Sequence, residues 1–397
     1  MATSGDRSRS SFRGGHLPAA VLVLVCLVAS SCQSGSSPTR GSEDTAQTKS
    51  AHSRQTWCVA RPDSAWKRIL NGHVVRLSRR ISIVPLAVAN DGRSFFAEIN
   101  SKAYSGVIRI NALSSRYKKI KRFSDPVNYQ ASGDFDGRWL VWAEYHSLYD
   151  PDDFTVWSWD SRTGRLRELG AATRSPSGNF WPSALQAPIV HDGYATWEQG
   201  SGPNGLGDVH VVKLATGRDR IVRRGHTGGP FLVNGPRVIW PESMKAGALT
   251  IMRTVDARTG LMVATPPALR NLRGGIWPAS NGKSLMYATD IQKSLWWSPS
   301  LEVRPRRIFR TRGYNLLKIP LNEIWARYTS FSIPYRTYLV DTVAGRYVRI
   351  SPGGWAITGP KALVLLTPSA KKANHAITDI FFLPLKSLPP IPPCGGG

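Results

Sequence analysis

Several absences narrow the function of this 397-residue chain early. There is no G-x-S-x-G nucleophile elbow, no H-E-x-x-H pair and no P-loop. Serine-hydrolase, zinc-protease and nucleotide chemistry therefore have no sequence support. The eight His residues are scattered without metal-ligand spacing. Acids are scarce, with 26 Asp and Glu against 52 Lys and Arg, a net charge of +26. Cysteines number four. After Val28 no apolar run is long enough to span a bilayer. These absences point to no cofactor and no metal, and leave catalysis without sequence support.

What is abundant is repetition. From Gly137 to Leu169 the chain reads GRWLVWAEY, a loop, FTVWSW, the turn DSRTG and RLREL. Aromatic and β-branched runs of this length favour half-buried strands. Asp160 and Gly164 suit the turn, since Asp bonds its own backbone and Gly accepts positive φ. The turn Asp136-Gly137 precedes the unit, which is therefore four short strands joined by hairpins. The same hairpins recur at SFFAEIN with GVIRINAL, YATWEQ with DVHVVKLATG, and RVIWPES with LTIMRTVDARTG. They recur again at SLMYATD with SLWWSPS, EIWARYTS with RTYLVDTVAG, and ALVLLTP with DIFFLPL. That makes seven copies, spaced roughly 40 to 55 residues apart, near the period of propeller blades. Turns of related chemistry precede most of them: Asp91-Gly92, Asp192-Gly193, Asn234-Gly235 and Asn281-Gly282.

Four-stranded antiparallel units repeated radially make a β-propeller. A pair of β-sandwiches would not need one turn chemistry at one place in each repeat. Seven blades are expected, with six or eight as the neighbouring possibilities. Over about residues 81–390 the repeats resemble the TolB-like and WD-like propeller family. That resemblance implies the fold and says little about function.

The N-terminus reads as an export signal over 1–31. Arg7, Arg9 and Arg13 precede an apolar core from Leu17 to Val28. Ala29-Ser30-Ser31-Cys32 resembles a bacterial lipobox, which implies a lipid on Cys32. The alternative is an ordinary secretory signal and a soluble product. Residues 32–56 have little to bury and read as a disordered, lipid-anchored tether. Residues 57–80 read as a short helical cap, with a start at Asp63-Ser64 and an end at Asn71-Gly72. Its apolar face would carry Trp66, Ile69 and Leu70. The propeller is expected over 81–394, with a tail over 395–397. A propeller closes by joining its ends, and export permits disulfides. A Cys58–Cys394 bridge would clamp the ring and contribute about 4 to 5 kcal/mol. Two unpaired thiols are the alternative.

Removing the signal takes away three Arg and one Asp, leaving 49 basic against 25 acidic residues, or +24. The excess lies in runs such as RYKKIKR, RDRIVRR and RPRRIFRTR. An exported protein seldom meets nucleic acid, so anionic lipid or anionic and glycan wall polymers are the expected partners, beside an envelope protein or peptide. The bland alternative is a set of solvated blade edges. The oligomeric state is left open.

Two periodic features offer a site. Glu98, Glu144, Glu198 and Glu242 end successive second strands, with Asp290 near the equivalent place. They would form an acidic arc on one face, either for a cation, amine or sugar hydroxyls, or for pairing with neighbouring blades. Tyr129, Trp181, Phe231, Trp277, Tyr314 and Trp355 open successive first strands. In the family these line the central channel, which would place the rings at its mouth beside Arg273, Arg312 and His226. Glycan or peptide binding and inter-blade packing are the competing uses. Asp150-Pro151-Asp152-Asp153 could hold Ca²⁺, although its spacing matches no calcium loop. The expectation is a membrane-anchored, extracytoplasmic binding or scaffold module. A glycan-active enzyme and a soluble secreted binder are the alternatives.

Overall fold

The computed structural model describes residues 57–72, 74–75, 81–124, 130–147, 150, 152–182, 188–226, 232–234, 236–243, 249–270, 272–273, 277–280, 284–289, 293–311, 327–333, 336–351, 354–368 and 378–394. The expected signal, Cys32, the tether and the tail lie outside them.

The chain forms a seven-bladed β-propeller. Blade 1 is Ser82–Val88, Ser94–Asn100, Ser105–Asn111 and Tyr117–Arg122, antiparallel throughout. Blade 2 repeats it with Gln130–Phe135, Trp139–Tyr145, Phe154–Asp160 and Leu166–Ala171. Blade 3 spans Ile189–His191 to Arg218–His226, and blade 5 spans Trp277–Ser280 to Arg306–Arg310. In blade 4 the outer edge is split, because Met262–Val263 and Leu272–Arg273 pair with opposite ends of Leu249–Asp256.

Blade 6 includes Tyr328–Ile333, Arg336–Asp341 and Arg346–Ser351, and blade 7 includes Trp355–Thr358, Ala362–Pro368 and Thr378–Pro384. The strands are apolar on both faces because each face meets a different neighbour. In Ser94–Asn100, Phe95, Ala97 and Ile99 join blade 7, whereas Phe96 joins Leu140, Trp142 and Trp159 of blade 2. Seven apolar clusters fill the seven successive interfaces, and the one between blades 7 and 1 closes the ring. A β-bulge recurs between third and outer strands, at Ile120, Leu169, Ile308 and Ile350 among others. It turns one apolar side chain of the outer strand inward against the next blade.

Residues near the N-terminus complete two sheets. Cys58–Ala60 adds in parallel to Arg346–Ser351 of blade 6. Val74 pairs with Phe381 of blade 7, and the Val75 N–H donates to Ile380 O at 2.7 Å. Between them runs α1, Ser64–Gly72. Asp63 Oδ1 accepts the Trp66 N–H at 2.9 Å, an N-cap that fixes its start. Trp66 is fully buried between blades 6 and 7, with Ile69 and Leu70 half-buried beside it. Its indole Nε1–H donates to Pro390 O at 3.1 Å. The chain ends are thus neighbours, and Cys58 and Cys394 are joined by a disulfide with Cα atoms 6.0 Å apart.

Candidate functional site

Strand direction gives the propeller two unlike ends. One carries the hairpins between second and third strands, where the expected carboxylates lie. The other carries the tight turns on either side of each hairpin.

At the hairpin end, the carboxylates turn into the blade interfaces. Glu98 is buried, and its Oε2 accepts the N–H of Ala131 in blade 2 at 2.8 Å. Burial pushes its carboxyl up to about 7. Glu144 is also buried, and Lys121 of blade 1 reaches it, with Nζ 2.7 Å from Oε2 and 2.9 Å from Oε1. Burial raises the Glu144 carboxyl, against the pull of Lys121. Lys121 also lies 4.5 Å over the Trp157 ring. Ala131 stands opposite Glu144 in the sheet, so both carboxylates occupy the interface between blades 1 and 2. Glu198 is buried with its carboxylate close against Gly207, where a Cβ would come within 2.7 Å of Oε1.

Of the expected aromatics, Trp181 is half-buried, and Trp355 is half-buried against the cluster between blades 7 and 1. Trp277 opens the first strand of blade 5, Glu242 sits in Arg237–Ser243 and Arg273 in Leu272–Arg273. The side chains of these three, and the whole of Phe231, Tyr314 and Arg312, lie outside the described residues.

In blade 2 the same end holds His146, with Nδ1 2.9 Å from Asp153 Oδ1 and Nε2 3.2 Å from Thr155 Oγ1. The order hydroxyl, imidazole, carboxylate is that of an activated nucleophile. Thr155 is buried within its strand, however, and the three groups tie the ends of one hairpin together. Asp150 Oδ1 accepts the Asp152 N–H at 3.1 Å. Among the described residues no three His, Cys, Asp or Glu side chains converge as metal ligands.

The turn end shows contacts the sequence did not announce. Asp136 Oδ1 accepts the N–H groups of Arg138 and Trp139 in its own turn, at 2.9 and 2.8 Å. Its Oδ2 reaches across to the Gly193 N–H of blade 3 at 2.7 Å. Asp134 Oδ2 similarly accepts the Val190 N–H at 3.0 Å. Gly137 has φ +105°, and a Cβ there would strike Asn90 of blade 1. The Asp-Gly turns therefore join blades as well as reversing the chain. Arg138 grips Asp160 through two bonds, at 3.2 and 2.7 Å, which holds that carboxyl down at about 2. Between blades 2 and 3 these turns leave a cleft of about 460 Å³, lined by Arg138, Trp139, Arg162, Asp192, Tyr194 and Lys213 among others.

No family model matches the chain, and no curated protein matches its sequence. Solved structures of similar shape include an oligogalacturonate lyase from Vibrio parahaemolyticus, at 7% identity and TM-score 0.46, covering 78% of this chain and 92% of that one. The β-propeller domain of the Trilobed protease from Pyrococcus furiosus is 12% identical with TM-score 0.47, covering 70% of this chain and 82% of that one. A prolyl endopeptidase is 12% identical with TM-score 0.47; the match covers 81% of this chain and 51% of the endopeptidase.

Proposed function

We propose that the protein is an exported binding or scaffold propeller of the bacterial cell envelope, held to the outer face of the membrane by a lipid on Cys32. Its repeats would be of the TolB-like or WD-like kind. The observation that carries export is the disulfide between Cys58 and Cys394, because such bonds persist in oxidising compartments. Binding is favoured over catalysis by the fate of the carboxylates. Glu98 and Glu144 are buried at a blade interface, one on a backbone N–H and the other on Lys121. A glycan-cleaving pair would need to reach substrate.

Fractionation of cells making the full chain tests the anchor. The wild type should sediment with membranes, and Cys32→Ala should persist as uncleaved precursor or move to the medium. Membrane retention of a processed Cys32→Ala protein would overturn the anchor. Pull-down from detergent-solubilised envelope tests the binding role. Recovery of an envelope glycan, peptide or protein is expected, whereas turnover of an envelope glycan, lost in Glu98→Gln, would favour the enzyme.

A further inference from the structure

The cleft at the turn end belongs to neither periodic feature of the sequence. Its charges sort into those already engaged and those left over. Asp136 is occupied by three backbone N–H groups, and Arg138 by Asp160. Arg138 also lies 4.7 Å over the ring of Trp139. Arg162 and Lys213 are exposed, and among the described residues neither has a carboxylate partner. Asp192 stands on the rim with its side chain 71% exposed, 3.4 Å from His191 Nδ1. Trp139 and Tyr194 are half-buried and supply aromatic surface to the wall. The cleft therefore offers two uncommitted cations, one exposed carboxylate and the ring of Tyr194 within about 460 Å³, beside a Trp139 ring that Arg138 overlies.

That combination suits one ligand class. Cations take an acid group by charge-assisted bonds. A carboxylate accepts hydroxyl donors, and aromatic faces cover the apolar face of a sugar ring. A bare polyanion would use the cations but be repelled by Asp192. A neutral glycan would leave the cations unmatched. We infer that the cleft between blades 2 and 3 binds an acidic saccharide, its acid on Arg162 and Lys213 and its hydroxyls on Asp192. This deepens the envelope-binding reading by naming a ligand class and placing it at the end opposite the acidic arc.

The test titrates the purified full-length protein in detergent with an alginate hexamer, following tryptophan fluorescence and heat. Maltohexaose and tripolyphosphate serve as neutral and sugar-free controls. Saturable binding of the hexuronate is expected, tighter than of either control. Arg162→Ala with Lys213→Ala should weaken it roughly tenfold or more, the size expected when two exposed charge-assisted contacts are lost. Both residues are exposed, so the melting temperature of the double variant should match the wild type. No saturable hexuronate binding, equal affinity in the double variant, or tripolyphosphate binding as tightly as the hexuronate would each overturn the inference. This titration is blind to where the protein resides, and fractionation is blind to this cleft, so either proposal can fail alone.

Discussion

Replacing Glu98 by Gln should stabilise the propeller in alkaline solution and leave it unchanged in mild acid. The Glu98 carboxyl is buried, accepts the Ala131 N–H, and is pushed from 4.5 up to about 7. The folded protein therefore holds this proton more tightly than the unfolded chain does. The stability linked to it is complete below about pH 4.5 and is lost as the pH rises through 7. The gap between 4.5 and about 7 corresponds to about 3 kcal/mol. Gln keeps an oxygen for the Ala131 N–H and carries no charge to desolvate. An unfolding entropy of about 2.1 cal/mol/K per residue, over ~340 folded residues, gives ~0.7 kcal/mol/K. Three kcal/mol then corresponds to about 4 °C. Melting curves at pH 5, 6, 7 and 8 should show the variant about 4 °C above wild type at pH 8, with the two converging toward pH 5. Glu144, at the same interface, keeps Lys121 as its partner in both proteins. Asp160 and Asp256, held down at about 2 by Arg138 and Arg258, titrate below this window. A pH-independent offset, or a variant less stable than wild type at pH 8, would refute the reasoning.

Two further substitutions probe the same architecture. Lys121→Met leaves the buried Glu144 without its cation and should cost about 3 to 5 kcal/mol in urea unfolding. The double variant Lys121→Met, Glu144→Met should recover most of that loss, and no recovery would mean that Lys121 acts mainly through its contact with Trp157. Cys394→Ser should reduce the unfolding free energy by about 4 kcal/mol, lower the denaturant midpoint and abolish the effect of reductant, and an unchanged midpoint would mean that the terminal contacts close the ring unaided.

The seven repeats were legible because most carry a turn of related chemistry, and Asp160, Asp256 and Asp341 indeed bond backbone N–H groups within their turns. The face of α1 was legible from the spacing of Trp66, Ile69 and Leu70. The joining of Cys58 to Cys394 followed from ring closure, once a propeller was in view. The N-terminal additions to blades 6 and 7 were not legible. Three residues in one sheet and a single bridge in another are too short to leave a pattern. Lys121 was hidden for a different reason. In YKKIKR it looks like one cation of a solvated edge, and only the bulge at Ile120 turns it toward Glu144. The cleft was hidden because Arg162 of blade 2 meets the cross-strand pair Tyr194 and Lys213 of blade 3 only when the two blades pack.

The placement of Cys58–Ala60 and Val74 in the last two blades bears on how the protein is made. A ribosome delivers these residues first and their partners last, since Cys58 and Cys394 are 336 residues apart. At about 5 to 20 residues per second, the opening strand waits roughly 15 to 60 seconds for Arg346 and its neighbours. Early blades can form in chain order, but the ring cannot shut before the strands of blade 7 have been made. Throughout that interval the edges of the growing sheet stack stay open, and unpaired strand edges are the places where a half-made propeller can pair with another chain.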